Sequence, residues 1–166
     1  INNPKLKVLI KELISMGWEI GLHPSFFSWK SKDQIKKEKR RLEKVFGIKI
    51  KSVRQHWLRF SWNDTWTAQS SAGLTNDTTL MFNDREGFRN SAAIDFKSFY
   101  CSDSPQIRST VFMDSHSKKE NYLSNIIDEV IIVKGNADLL WHTHTLKEGY
   151  NYFPELEFAI KKLKIK

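Results

Sequence analysis

A chain of 166 residues with 40% hydrophobic content is long enough to bury one real core, and a lone cysteine, Cys101, excludes an internal disulfide framework. No apolar run approaches the roughly 20 residues that cross a bilayer, so no transmembrane segment is expected. The formal charge of +8 raises the question of a nucleic-acid partner.

In chain order the sequence alternates helix and strand. Leu6, Leu9, Ile10, Leu13 and Ile14 recur at helical spacing over 4–16, with Pro4 in the first turn and Gly17 at the end. EIGLHPSFFS (19–28) follows as a short buried strand. Pro24 disfavours a helical conformation at the preceding residue, so the strand ends at His23 and holds its imidazole at a strand mouth. Ser31 with Gln34 makes a capping-box start for a second helix, which Gly47 closes. IKIKSV (48–53) alternates as a half-buried strand does and delivers VRQHWLRF (53–60). A short helix from Ser61–Asp64 to Ala72–Gly73 leads to LTNDTTLMF (74–82), a third strand. Residues 83–106 read as a long polar loop. STVFMD (109–114) is strand-like, Tyr122 to Ile131 mark a helix ending near Gly135, ADLLWHTH (137–144) is a buried strand, and Pro154 opens a final helix.

The densest basic run, KKEKRRLEK at 36–44, has six Lys or Arg in nine positions. Ile35, Leu42, Val45 and Phe46 share one helical face, so these charges are expected on the solvated side of an amphipathic helix. No aromatics interleave with the lysines and no zinc-finger or RRM-like signature is present, so no nucleic-acid partner is expected.

Repeated strand-then-helix units imply parallel strands with helices packed outside, as a doubly wound sheet or a barrel within one domain spanning 1–166. Unusual side chains gather at the strand ends: His23, then Arg54 and His56, then Asp114, then His142 and His144. Convergence of strand ends on one face is what a barrel-type site requires. Each of these histidines also fits a hydrogen-bonded structural role, and Asp114 fits a helix cap equally well.

The blocks EIGLHPS (19–25), VRQHWLRF (53–60), AGLTNDTTLMFNDREGFR (72–89), VFMD (111–114) and LLWHTH (139–144) together resemble the polysaccharide deacetylases with a NodB-homology domain, carbohydrate esterase family four. The blocks occur in that family's order and span most of the chain. The resemblance implies a distorted (β/α) barrel and metal-dependent hydrolysis of N-acetyl groups on a polysaccharide or glycan, with a divalent ion of the zinc type as cofactor. It places His23 as a metal ligand, Arg54 as the arginine that steadies a catalytic carboxylate, Asp77 in the fourth motif, and His142 as general acid. Trp57, Asp114 and Arg89 are the expected substrate contacts; ordinary loop ion pairs are an equal reading for Arg85 and Arg89.

Two departures from the pattern carry expectations of their own. The family's second motif has another histidine four residues after the first, and here position 27 is Phe, so His56 is expected to replace that ligand. The first motif, with its paired aspartates, should precede the helix at 4–16; the resemblance thus implies a catalytic domain cut after its first strand. A family member that keeps the cleft for carbohydrate binding without catalysis is the alternative reading. The sequence leaves the sugar, the oligomeric state and the compartment open.

Overall fold

The computed structural model describes residues 3–85, 87–113, 119–147, 149–150 and 152–163. Asp114 and His116 lie outside them. The chain gathers into two compact units, Ile1–Thr79 with Phe96–Ile107, and Leu80–Asp95 with Arg108–Lys166. Both are mixed α/β with parallel strand pairing.

In the first unit, helix α1 (Pro4–Ser15) is started by Asn3, whose side chain accepts from the Lys5 amide. Its apolar stripe is only half covered: Leu6 and Leu9 stay exposed, and no residue of the helix is buried. Helix α2 (Lys32–Phe46) obeys its sequence signals closely. The Ser31 hydroxyl caps the Gln34 amide, and Gly47 ends the helix at φ 71°, a left-handed conformation that costs glycine nothing. Ile35 points inward and is fully covered, among Leu22, Ile50, Val53, Ala68, Ala72 and Leu74. Each large aliphatic side chain so buried contributes about 1.5–3 kcal/mol of transfer free energy. The basic residues Lys37, Arg40, Arg41 and Lys44 are exposed, as the helical period requires.

Strands β1 (Ser52–Val53), β2 (Asn76–Asp77) and β3 (Gln106–Ile107) form a parallel sheet in that order, with α3 (Thr65–Ser71) between the first two. Leu22 adds a single parallel bridge to Val53: its amide donates to Ser52 O, and the Arg54 amide donates to Leu22 O. The strands are shorter than the alternating segments that announce them. After Asp77, the Thr79 amide and hydroxyl turn to the Asp77 carboxylate, and the Gln55 amide turns to Thr79 Oγ1. Side-chain bonds thereby replace the ladder where it would have continued.

The second unit is a βαβ element, β4 (Thr110–Phe112), α4 (Lys119–Ile132) and β5 (Asp138–Leu140), followed by α5 (Phe153–Lys162). Val111, Met113, Leu123, Ile126, Ile127 and Ala159 make its core. The loop expected over 83–106 is irregular in its first part and is tied down by its own backbone. Ser109 Oγ donates towards the carbonyls of Ala92 and Ile94, and the Asn136 amide donates to Ala93 O. Gly135 is required here, because a Cβ at that position would lie 2.1 Å from Ala93 O. The described strands form one three-stranded and one two-stranded sheet, with no closed barrel among them. No helix of the described residues is long and apolar enough to cross a membrane.

Candidate metal and substrate site

The single bridge between Leu22 and Val53 sends two chain segments out side by side, and each ends in a histidine. His23 Nδ1 lies 2.8 Å from Arg54 O, and His56 Nδ1 lies 2.9 Å from His23 Nε2. A carbonyl oxygen only accepts, so the neutral His23 ring carries its proton on Nδ1 and turns a lone pair outward from Nε2. His56 Nδ1 then donates to that lone pair. A backbone carbonyl that fixes the ring and tautomer of a neighbouring imidazole is the outer-shell device found at metal-ligating histidines.

The pair fits a borderline divalent cation in kind. His23 Nε2 and His56 Nδ1, as neutral imidazoles, would be the nitrogens to hold such an ion, and the ion would supply Lewis acidity there. Two nitrogens make half of a tetrahedral set. Among the described residues no group of three or more His, Cys, Asp or Glu side chains gathers.

His56 is presented by an uncommon turn. Trp57 (φ 56°, ψ 25°) and Leu58 (φ 52°) stand in succession in the left-handed region. For bulky residues each costs of order 1–3 kcal/mol, and such strain persists only where the surroundings hold it. Here the Leu58 amide donates to Gln55 O and the Arg59 amide to His56 O. The turn leaves Trp57 76% exposed, with its ring 6.3 Å from Phe26 and 6.5 Å from His56.

The loop after His23 is fastened from α2. Glu38 receives the Ser25 amide, the Ser25 and Ser28 hydroxyls and the Gln34 side-chain amide. Desolvation pushes this carboxyl up, but the hydrogen bonds from Ser25, Gln34 and Ser28 outweigh it and hold the group below its usual value. Phe26, in this loop, lies 6.3 Å from the His56 ring.

Arg54 and Asp77 take different sides of the sheet. Val53 pairs with Asp77 in register, so both turn into the buried face, and Arg54, one residue further, donates from Nε to Thr78 O. Asp77 is fully buried. Its oxygens accept from Trp66 Nε1, Gln69 Nε2 and both the amide and the hydroxyl of Thr79. Burial raises the Asp77 carboxyl above its usual value, against the opposing pull of these donors. Asp77 therefore meets the histidine turn indirectly, through Thr79 Oγ1, which accepts the Gln55 amide one residue before His56. Gln55 is itself fully buried, and neither end of its side-chain amide has a hydrogen-bond partner among the described residues.

Arg89 and His142 belong to the second unit, and both are exposed there. His142 follows β5; its carbonyl accepts from the Thr145 amide and hydroxyl, and its ring lies 5.4 Å from that of His144. Arg85 forms an exposed ion pair with Asp84 at 3.2 Å. A recess of about 440 Å³ near Ser70, Lys97, Asp103 and Gln106 shares no lining residue with the histidine pair.

Of the residues singled out in the sequence, then, His23, Arg54, His56 and Trp57 come together around one turn, with Asp77 beneath it. Glu38, Phe26, Gln55 and Arg59 went unassigned. Glu38 had a readable signal: it lies three residues after Ile35 and four before Leu42, on the apolar stripe of α2. No family model matches the chain, and no curated protein matches it.

Proposed function

We propose that the protein is a metal-dependent deacetylase of N-acetylated glycans, with His23 and His56 as protein ligands of a divalent ion of the zinc class. The observation that carries the reading is the approach of His56 Nδ1 to His23 Nε2 at 2.9 Å while Arg54 O pins the far side of the His23 ring. The pattern that resembles the deacetylases lacks a histidine at position 27, and the approach of His56 to His23 supports His56 as its replacement. When bound, the ion supplies Lewis acidity for amide hydrolysis near neutral pH. The chain's own residues do the rest. Arg54 fixes the tautomer of His23, Asp77 steadies the backbone before His56 through Thr79, and Trp57 offers an exposed indole face on which a sugar ring stacks. His142 carries the general-acid role and Arg89 a substrate contact by resemblance alone. A distorted (β/α) barrel belongs to the same proposal; its support is the parallel pairing in both units, with α3 between β1 and β2 and α4 between β4 and β5.

A second reading, a glycan-binding domain without catalysis, is favoured by one observation. Trp57 is held outward at an energetic cost that stacking alone would justify. Zinc titration in competition with a chromophoric chelator separates the two readings, run on the protein and on His23→Ala and His56→Ala, beside an assay of acetate release from N-acetylated chito-oligosaccharides. Each replacement is expected to weaken zinc binding by about tenfold or more. Affinity unchanged in both variants would leave only the binding domain.

A further inference from the structure

Arg59 has no task in the chemistry above, and its surroundings give it one. It leaves the turn that carries His56, and its guanidinium carbon lies 4.1 Å from the ring centroid of Phe26, 5.2 Å from Trp29 and 5.8 Å from Phe27. Nη1 donates to Phe26 O at 2.9 Å. Aromatic faces and a carbonyl thus hold the group in place. A guanidinium carries five N–H donors in a planar fork and stays charged at every physiological pH. Among the described residues one donor is used and no carboxylate pairs with the group. Glu38, the acid that holds the same loop, is engaged by Ser25, Ser28 and Gln34. A second cation flanks the same indole, with Lys30 Nζ 5.3 Å from the Trp29 ring.

A clamped, planar cation without a counter-ion among the described residues is shaped for two parallel N–H···O bonds to an oxyanion. Phe26 connects it to the proposed reaction centre, since the ring that supports Arg59 also stands 6.3 Å from His56 and 6.3 Å from Trp57. We infer that Arg59 binds an oxyanion of the substrate, so the glycan this site takes is acidic, with a carboxylate or phosphate on or beside the N-acetylated sugar. The inference rests on the deacetylase reading for the sugar and on Arg59 alone for the anion.

The test is calorimetric titration of the protein with three tetrasaccharides: hyaluronan, which alternates N-acetylglucosamine with glucuronate; chitotetraose, N-acetylated and neutral; and galacturonan, acidic without N-acetyl groups. Hyaluronan is expected to bind at least about tenfold more tightly than chitotetraose, and its advantage should shrink as salt is raised towards about 0.5 M. Arg59→Gln should bring it down to the level of chitotetraose while leaving chitotetraose unchanged, which also shows that the loop still folds. Arg59→Lys, which keeps the charge and loses the fork, should fall between. Competition by inorganic phosphate stronger than by acetate would identify a phosphate as the preferred anion, and the reverse a carboxylate; either supports the assignment. Equal affinity for hyaluronan and chitotetraose, with no selective effect of Arg59→Gln, overturns the anion inference and leaves the N-acetylated glycan reading standing. Galacturonan bound as tightly as hyaluronan, with chitotetraose unbound, keeps Arg59 as the anion receptor and sinks the deacetylase reading. Failure of all three ligands to bind overturns both.

Discussion

Two pairs of histidines stand at the ends of short parallel strands, and the protein treats them differently. In the first unit His23 and His56 meet nitrogen to nitrogen at 2.9 Å, with rings inclined at 70° and one ring fixed from behind by Arg54 O. In the second unit His142 and His144 are both exposed and tilted at 42°, with ring centroids 5.4 Å apart. In sequence the first pair is 33 residues apart on two segments, and the second is two residues apart after one strand. The first pair is set off by its surroundings: a loop fastened by Glu38 and a strained turn that carries His56. Side chains are held for a task as much by what immobilises them as by their own chemistry.

The comparison breaks most visibly at Glu38. Removing its carboxylate in Glu38→Ala leaves the Ser25 amide and the Ser25 and Ser28 hydroxyls without their acceptor, and chemical denaturation should show a loss of about 1–3 kcal/mol. The accompanying pH dependence has a definite sign. The folded-state pKa lies below the ordinary 4.5, so the contribution is complete above that value and disappears as pH falls through the lowered one. Glu38→Gln should flatten this acid limb. An unchanged limb would mean that Glu38 does not hold the loop in solution.

The strained turn gives a smaller effect of opposite direction. Glycine tolerates positive φ, so Trp57→Gly should stabilise the fold by about 1 kcal/mol while weakening zinc binding and abolishing glycan stacking. A variant both less stable and unaltered in affinity would show that the turn stores nothing used by the site. The smallest effect belongs to the second pair: His142→Ala should leave zinc affinity within about twofold, since His142 is exposed and belongs to the second unit, whereas the two histidines proposed as ligands belong to the first. A large loss there would erase the contrast between the pairs.

The sequence was most legible where local chemistry decides the outcome. Ser31 with Gln34, Gly47 and Pro154 mark helix ends through hydrogen bonds and torsions confined to a few residues, and the helices begin and end there. Strands were legible in place and not in extent. IKIKSV alternates over 48–53, yet only Ser52 and Val53 pair, because pairing depends on neighbours such as Asp77 and on where Thr79 spends its hydrogen bonds. His56 was legible as a side chain at a strand end, and its approach to His23 was expected from the missing histidine at position 27. The consecutive left-handed residues at 57 and 58 were not legible at all, since Trp and Leu are poor choices for that conformation. Glu38 was hidden by its company: a carboxylate inside a basic run reads as one more solvated charge unless its phase on the helix is counted.

Gly135 bears on how freely this sequence can drift. Gly47 is present for its torsion, and nothing lies within 4 Å of where its side chain would begin, so asparagine can stand there at modest cost. Gly135 is present for lack of room against a carbonyl of the main chain, and no rotamer of any other residue avoids that oxygen. In a saturation library sorted for folded protein, position 47 should keep several residues and position 135 one. Two glycines that look interchangeable on the page mark, respectively, a preference and a prohibition.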